Sequence, residues 1–249
     1  MKAIGIFSAV LVFASSAPLA SAAMQLAYQV AGVDPAPVVC SYLAPPTATA
    51  AVCTSSINDH GVSISFFDGA SNSPGGAPFN NANQSSTSVQ ITNTSTTLTE
   101  TLNLWVWAPG FTTPTAPPNI FWASNFTGTW LGGSGTIGMT SCADTGYPGT
   151  PSTAYCTSGP TLTNTTVPFS GVNTAPQNTV MTNVATLGPP YTLEEDITVV
   201  LAPSSQVNVE SSQVLTPVPE PMSIALLGGV ILLTSGAIRR KRKQEASRV

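Results

Sequence analysis

The sequence predicts an all-β protein: an antiparallel β-sandwich with an N-terminal signal peptide and one C-terminal transmembrane helix. Three observations support this fold class. Charged residues make up 7% of the 249 residues, whereas about 25% is usual in globular chains. Short stretches alternate between apolar and polar residues with a period of two, which is the pattern of half-buried strands. No stretch before Met222 combines helical periodicity with helix caps.

The N-terminus has the three parts of a secretory signal peptide. Lys2 supplies the positive charge, residues 3–14 form the apolar segment, and Ala20 and Ala22 are the small residues of a cleavage site. We therefore expect a signal peptide over residues 1–22 and an exported chain. An uncleaved anchor helix is the alternative, but the apolar segment is short for one.

Six stretches in the body of the chain show the alternation expected of strands. They are MQLAYQV, VSISFF, SVQIT, TLNLWVW, DITVVLA and QVNVESSQV. In TLNLWVW, leucine and valine lie on one face, while Trp105 and Trp107 lie on the other. Many short strands separated by turn residues are typical of two packed sheets. We expect one extracellular sandwich domain over residues 23–216, with long loops at 69–86 and 109–119.

Basic residues are confined to the two ends of the chain. Between Ala23 and Pro219 there is no Lys or Arg, and the same segment holds nine acidic residues. Binding to a phosphate backbone requires cationic side chains. The body is therefore not expected to bind nucleic acid.

Four cysteines, an even number in an exported chain, predict two disulfides. They are Cys40, Cys53, Cys142 and Cys156. Three pairings are possible, and the local one would leave 12 and 13 residues between the bonded cysteines. Metal binding by these cysteines is disfavoured, because neither pair has C-x-x-C spacing and the chain has one histidine. We expect no metal and no cofactor.

Two groups of residues are candidates for chemistry. His60 follows Asp59, but no G-x-S-x-G nucleophile elbow accompanies them, and NDHG favours a turn before the strand at residue 62. Glu194, Glu195 and Asp196 are consecutive acids that could contribute to a Ca²⁺ site. Because the D-x-D-x-D-G pattern is absent, an exposed strand edge is the preferred interpretation. We expect no catalytic residue.

The four tryptophans are relevant to a second class of function, carbohydrate binding. Trp105 and Trp107 share a strand face, and Trp122 and Trp130 follow. Tryptophans in an exposed row can stack on sugar rings, but large aromatic side chains more often fill a core. An exposed strip would favour a carbohydrate-binding module, whereas a pocket containing His60 and a paired acid would favour a secreted hydrolase.

The C-terminal region, residues 217–249, contains three features in order. A Pro219-Glu220-Pro221 triplet precedes an uncharged run of 17 residues, 222–238. As a helix this run spans roughly 25 Å, just enough for a bilayer core of about 30 Å. A basic cluster follows and is expected to stay on the cytoplasmic side, with the body outside. The cluster consists of Arg239, Arg240, Lys241, Arg242 and Lys243.

Together these features resemble the PEP-CTERM sorting signal of exported proteins from Gram-negative bacteria. The resemblance covers the chain from Val218 onward and implies a sorting motif of Val218, Pro219, Glu220 and Pro221. It implies processing near this motif by an exosortase, an integral-membrane cysteine protease or transpeptidase. The protein would then reside transiently in the inner membrane before it reaches the cell surface or the medium.

The expected role is structural or adhesive, in association with exopolysaccharide in a biofilm. The alternative interpretation of the C-terminus is an ordinary single-pass anchor. Six residues, 244–249, trail the basic cluster, where the family usually ends sooner.

Overall fold

The computed structural model describes residues 24–40, 50–53, 56–73, 81–115, 119–145, 159–171 and 176–218. Within these ranges all regular secondary structure is β, and every strand pairing is antiparallel. The prediction of an all-β antiparallel fold is therefore confirmed. A membrane-crossing helix, judged by length and apolar character, is not found in these ranges. The predicted signal peptide, spanning segment and basic cluster lie outside the described residues.

The described residues form fourteen strands. They are β1 (Gln25–Val30), β2 (Val38–Val39), β3 (Ala50–Cys53), β4 (Ile57–Asp59), β5 (Val62–Ile64), β6 (Phe66–Ser71), β7 (Ala82–Asn93), β8 (Glu100–Phe111), β9 (Asn119–Gly132), β10 (Ser134–Asp144), β11 (Thr161–Ser170), β12 (Gln177–Val184), β13 (Tyr191–Leu201) and β14 (Gln206–Val218).

The strands form two sheets that pack face to face. The six-stranded sheet has the order β11-β10-β13-β8-β1-β2. The eight-stranded sheet has the order β12-β9-β14-β7-β5-β4, and β6 joins it by pairing with β7 and with β3. The chain passes from one sheet to the other between β9 and β10, through Gly133 at a φ of 84°. A Cβ atom at Gly133 would lie 2.1 Å from Ser205 Oγ, so this turn requires glycine.

One apolar core lies between the two sheets and draws on both. In β9 every second residue points inward, and these residues include Ile120, Trp122, Phe126 and Trp130. Trp122 and Trp130 are fully buried there. Large aromatic side chains contribute most of the burial in such a core.

The two loops expected from the sequence are shorter than predicted. β6 continues to Ser71 and β7 begins at Ala82, and β8 continues to Phe111 before β9 begins at Asn119. The sequence does not predict the first half of β7, because three of its four inward residues are polar. These residues are Gln84, Ser86 and Ser88. When polar residues occupy both faces, the apolar alternation that identifies a strand is absent.

A disulfide between Cys40 and Cys53 connects the two sheets at one end of the sandwich. Cys40 directly follows β2 in the six-stranded sheet, and Cys53 ends β3 in the eight-stranded sheet. Their Cα atoms are 5.1 Å apart. Cys142 is also disulfide-bonded, and Cys156 lies outside the described residues. The local pairing is therefore present for the first pair of cysteines.

Candidate functional site

The three consecutive acids of β13 do not form an exposed edge, and that prediction is wrong. Successive side chains of a strand point to opposite faces, so Glu195 faces the core while Glu194 and Asp196 lie on the outer face. Glu195 is 0% exposed and Glu194 is 2% exposed. The three carboxylates therefore do not converge on one cation, which removes the basis for a Ca²⁺ site at this sequence.

Glu195 is held in the core by hydrogen bonds from the opposite sheet. The Ser211 hydroxyl donates to Glu195 Oε2, and the hydroxyl oxygens of Ser211 and Ser86 are 2.7 Å apart. The side chain of Gln84 also hydrogen-bonds to the carboxyl group. Burial raises the pKa of Glu195 to about 8, and the hydrogen bonds from Ser211 and Gln84 counteract only part of this rise.

Glu195 belongs to a larger interior polar layer, which crosses the middle of the sandwich. A second part of this layer centres on Asn164, whose amide donates to the backbone oxygens of Ser124 and Asn178. The hydroxyl oxygens of Ser124 and Ser141 are 2.7 Å apart. The layer consists of Gln84, Ser86, Ser88, Ser124, Ser141, Asn164, Glu195, Ser211 and Gln213, all buried. The hydrogen bonds of this layer join particular residues of one sheet to particular residues of the other. They would be lost if the sheets shifted relative to each other, so the layer disfavours alternative packing of the two sheets.

Trp105 and Trp107 lie on the outer face of the six-stranded sheet, opposite the inter-sheet core. Their rings are stacked, with centroids 6.4 Å apart and an interplanar angle of 16°. With Ala27 they form a small cluster separate from the main core. They are only 5% and 1% exposed. The pair therefore neither fills the inter-sheet core nor presents an exposed strip for sugar rings.

A shallow depression lies beside Trp105 on this outer face, with a volume of about 250 Å³. Strand register explains its position, because Thr163, Thr140, Asp196 and Trp105 are successive partners across β11, β10, β13 and β8. We call it the threonine depression. It is lined by Gly138, Met139, Thr140, Thr163, Asn164, Thr166, Asp196 and Thr198.

Asp196 is the one acidic residue among those that line the threonine depression. Trp105 hydrogen-bonds to its carboxylate, while burial, the larger effect, raises the pKa of Asp196 to about 6. Within the described ranges, its Oδ1 atom has no hydrogen-bond partner. Thr198 is oriented by a hydrogen bond that its hydroxyl donates to Asn103 Oδ1, at 3.1 Å. The site thus places a carboxylate beside several threonine hydroxyl groups.

A second polar group lies at the corner where β1 and β4 end. The β4–β5 hairpin turns through His60 and Gly61, with φ angles of 40° and 86°, and this confirms the turn predicted at NDHG. Nδ1 of His60 lies 3.2 Å from Asp34 Oδ1 and 2.5 Å from Asp59 Oδ1. The pairing of His60 with Asp59 follows from sequence adjacency, whereas the contribution of Asp34 depends on the fold.

Other predicted site residues lie at the end of the described chain or beyond it. Val218 is the last residue of β14. The remaining residues of the sorting motif, the basic cluster and the signal-cleavage residues Ala20 and Ala22 lie outside the described ranges.

The chain matches no protein-family model, and no curated protein matches it. Two solved structures show a distant similarity. One is TmCBM61 in complex with beta-1,4-galactotriose, at 7% identity and a TM-score of 0.32, covering 61% of this chain and 88% of that chain. The other is the enzymatically active domain of Bacteriophage CBA120 tailspike protein 4, at 12% identity and a TM-score of 0.30, covering 65% of this chain and 18% of that chain.

Proposed function

We propose that this chain is an exported, non-enzymatic β-sandwich protein with a structural or adhesive role in the polysaccharide at the cell surface. An exosortase would process it through the C-terminal signal. The Cys40–Cys53 disulfide supports export, because disulfides persist in oxidising compartments. The order of triplet, apolar run and basic cluster supports the sorting route.

The observation that carries the polysaccharide part is the lining of the threonine depression, which brings the Asp196 carboxylate together with the hydroxyl groups of four threonines. Carboxylate and hydroxyl oxygens can accept hydrogen bonds from sugar hydroxyls. The surrounding threonine hydroxyls supply further donors and acceptors for a sugar ring. At about 250 Å³ the depression is smaller than the roughly 300–1,000 Å³ typical of enclosed ligand sites. It therefore suits one unit of a long chain.

The charge of the body restricts the kind of polysaccharide. The segment between Ala23 and Pro219 contains acids and no Lys or Arg. Anionic sugar chains would be repelled, so we expect a neutral polysaccharide. Trp105 contributes here by orienting Asp196 and not by stacking on the sugar, which replaces the tryptophan platform considered from the sequence.

Asp196→Asn tests the polysaccharide site. Affinity electrophoresis with neutral polysaccharides (dextran, galactan and β-glucan) and anionic alginate should show retardation by a neutral chain only. Loss of a charged hydrogen-bond acceptor should weaken that binding about tenfold. Glu210→Gln, a change of an exposed acid on the other sheet, is the matched control. If no neutral polysaccharide retards the protein, or if Asp196→Asn binds like the wild type, this proposal is wrong.

Glu220→Ala tests the sorting route. The prolines hold the triplet extended, which suits a protease cleft. We expect the variant to be exported but not processed, so that it accumulates in the inner membrane at its larger mass. Deletion of residues 222–249 should instead release a soluble body. If the Glu220→Ala protein is processed and localised like the wild type, the plain single-pass anchor is the better interpretation.

The hydrolase alternative has less support. A Ser-His-Asp mechanism requires a serine hydroxyl at the imidazole. In the part of the chain that the structure describes, the polar contacts of His60 are with Asp34 and Asp59, both through Nδ1.

A further inference from the structure

The corner around His60 brings three metal-ligating side chains together. One oxygen each from Asp34 and Asp59 and one nitrogen of His60 all lie within 4.8 Å of one another. Nδ1 of the imidazole faces both carboxylates, at 3.2 Å and 2.5 Å. Because Nδ1 can carry only one proton, the imidazole can donate a well-aligned hydrogen bond to only one of the two carboxylates. A divalent cation would satisfy all three ligands at once.

The surroundings of this corner favour a cation. The Asp34 side chain is 7% exposed, and its Oδ2 accepts a hydrogen bond of 2.6 Å from the backbone N–H of Val30. This bond turns Oδ1 toward His60. Lys and Arg are absent from the whole body sequence, so neither residue type can neutralise these carboxylates there.

We propose that Asp34, Asp59 and His60 bind a divalent transition-metal ion. An imidazole nitrogen with two carboxylate oxygens is a ligand set that suits Zn²⁺ or Mn²⁺, whereas Ca²⁺ prefers oxygen ligands alone. His60 has a side-chain exposure of 51%, so water can complete the coordination from the solvent side. This site is independent of the threonine depression.

The bound ion would connect the two sheets. Asp34 lies in the connection between β1 and β2 of the six-stranded sheet, and Asp59 and His60 lie in the β4–β5 hairpin of the eight-stranded sheet. The Cys40–Cys53 disulfide joins the same two sheets. A metal ion here would therefore stabilise the native packing as well as occupy a site, because it binds only when the three ligands are assembled.

The test is a zinc titration of the full chain after removal of metal with EDTA. Isothermal titration with ZnCl₂ at pH 7.5 should give one Zn²⁺ per chain, and zinc should raise the unfolding temperature. His60→Asn should weaken binding at least 30-fold. Asparagine tolerates positive φ, and Asn-Gly is favoured in two-residue hairpin turns, so this variant keeps the hairpin. Asp34→Asn retains an acceptor for Val30 and should weaken binding at least tenfold.

Glu210→Gln is the matched control, since it removes one exposed acid from the eight-stranded sheet away from the hairpin, and it should bind zinc like the wild type. The proposal is overturned if the wild type shows no saturable zinc binding or if His60→Asn binds within threefold of the wild type. Tighter binding of Ca²⁺ than of Zn²⁺ would also overturn it, because that preference would mean that the carboxylate oxygens, and not the imidazole nitrogen, determine which metal ion binds.

Discussion

Replacing Glu195 with Gln should remove a large pH dependence from the stability of this protein. The Glu195 carboxyl lies fully buried between the sheets, and burial raises its pKa from 4.5 to about 8. The native state therefore binds this proton more tightly than the unfolded state does. The stability that the proton contributes is fully present below pH 4.5 and is lost as the pH rises through about 8.

The size of the effect follows from the two pKa values. The difference between 4.5 and about 8, at about 1.36 kcal/mol per unit, corresponds to a loss of about 5 kcal/mol over that pH range. Asp196, whose pKa is raised by burial from 3.8 to about 6, contributes a smaller loss of about 3 kcal/mol that is largely complete by pH 6. Between pH 6 and pH 8.5 the remaining loss belongs to Glu195 and amounts to about 2.5 kcal/mol.

Urea unfolding followed by tryptophan fluorescence measures this loss directly. Wild type and Glu210→Gln should each lose about 2.5 kcal/mol of unfolding free energy between pH 6 and pH 8.5. Glu195→Gln should lose almost none, because its amide stays neutral. The amide can also donate to the oxygen-rich surroundings, where Gln84 Oε1 and Gln213 Oε1 have no hydrogen-bond partner in the described residues. The reasoning is refuted if the wild type gains stability over this range, or if Glu195→Gln loses as much as the wild type.

The same unfolding assay at pH 6 tests three further expectations. Replacing Cys40 and Cys53 with serine should cost about 3 kcal/mol, because it opens a short loop in the unfolded chain; a cost below about 1 kcal/mol would contradict this. Gly133→Ala should cost about 2–4 kcal/mol, since φ is positive and the new Cβ would clash with backbone and hydroxyl atoms, whereas Gly132→Ala, with open space around it, should cost under about 0.5 kcal/mol. Asn164→Ala should cost about 2–3 kcal/mol by removing the buried hydrogen bonds of its amide with Ser124 and Asn178; equal stability would contradict this.

Strands were predictable where the polar residues face outward. The β8 segment shows this, because its leucines and valine all lie in the inter-sheet core and the alternation is plain in the sequence. Strand β9 was missed although four of its inward residues are apolar, since Ser124 and Gly128 interrupt the series. The interior polar layer is the common cause: each serine or glutamine that faces the core looks, in the sequence, like a residue that faces water.

The candidate sites depend on distant residues and were less predictable. The sequence places Asp59 beside His60, but it contains no signal that Asp34 joins them. It also places three acids together on β13, and only strand alternation separates Glu195 from its neighbours. A firm assignment of residues 194–196 to a strand would have put the middle carboxylate on the opposite face from the other two. The expectation of an exposed edge came from charge alone.

The position of β14 determines how the sandwich responds to mechanical load. This strand pairs with β9 from Gln206 to Val218 and with β7 from Gln206 to Leu215, so it is flanked on both sides for most of its length. Tension applied to the chain beyond Val218 enters the fold through this strand. Because hydrogen bonds between antiparallel strands run perpendicular to the strand axis, such tension loads many of them together in shear. If the protein is held at a surface by this end, fluid drag would pull on a strand in the middle of a sheet. The hydrogen bonds of such a strand share the load, whereas those of an edge strand can break one at a time.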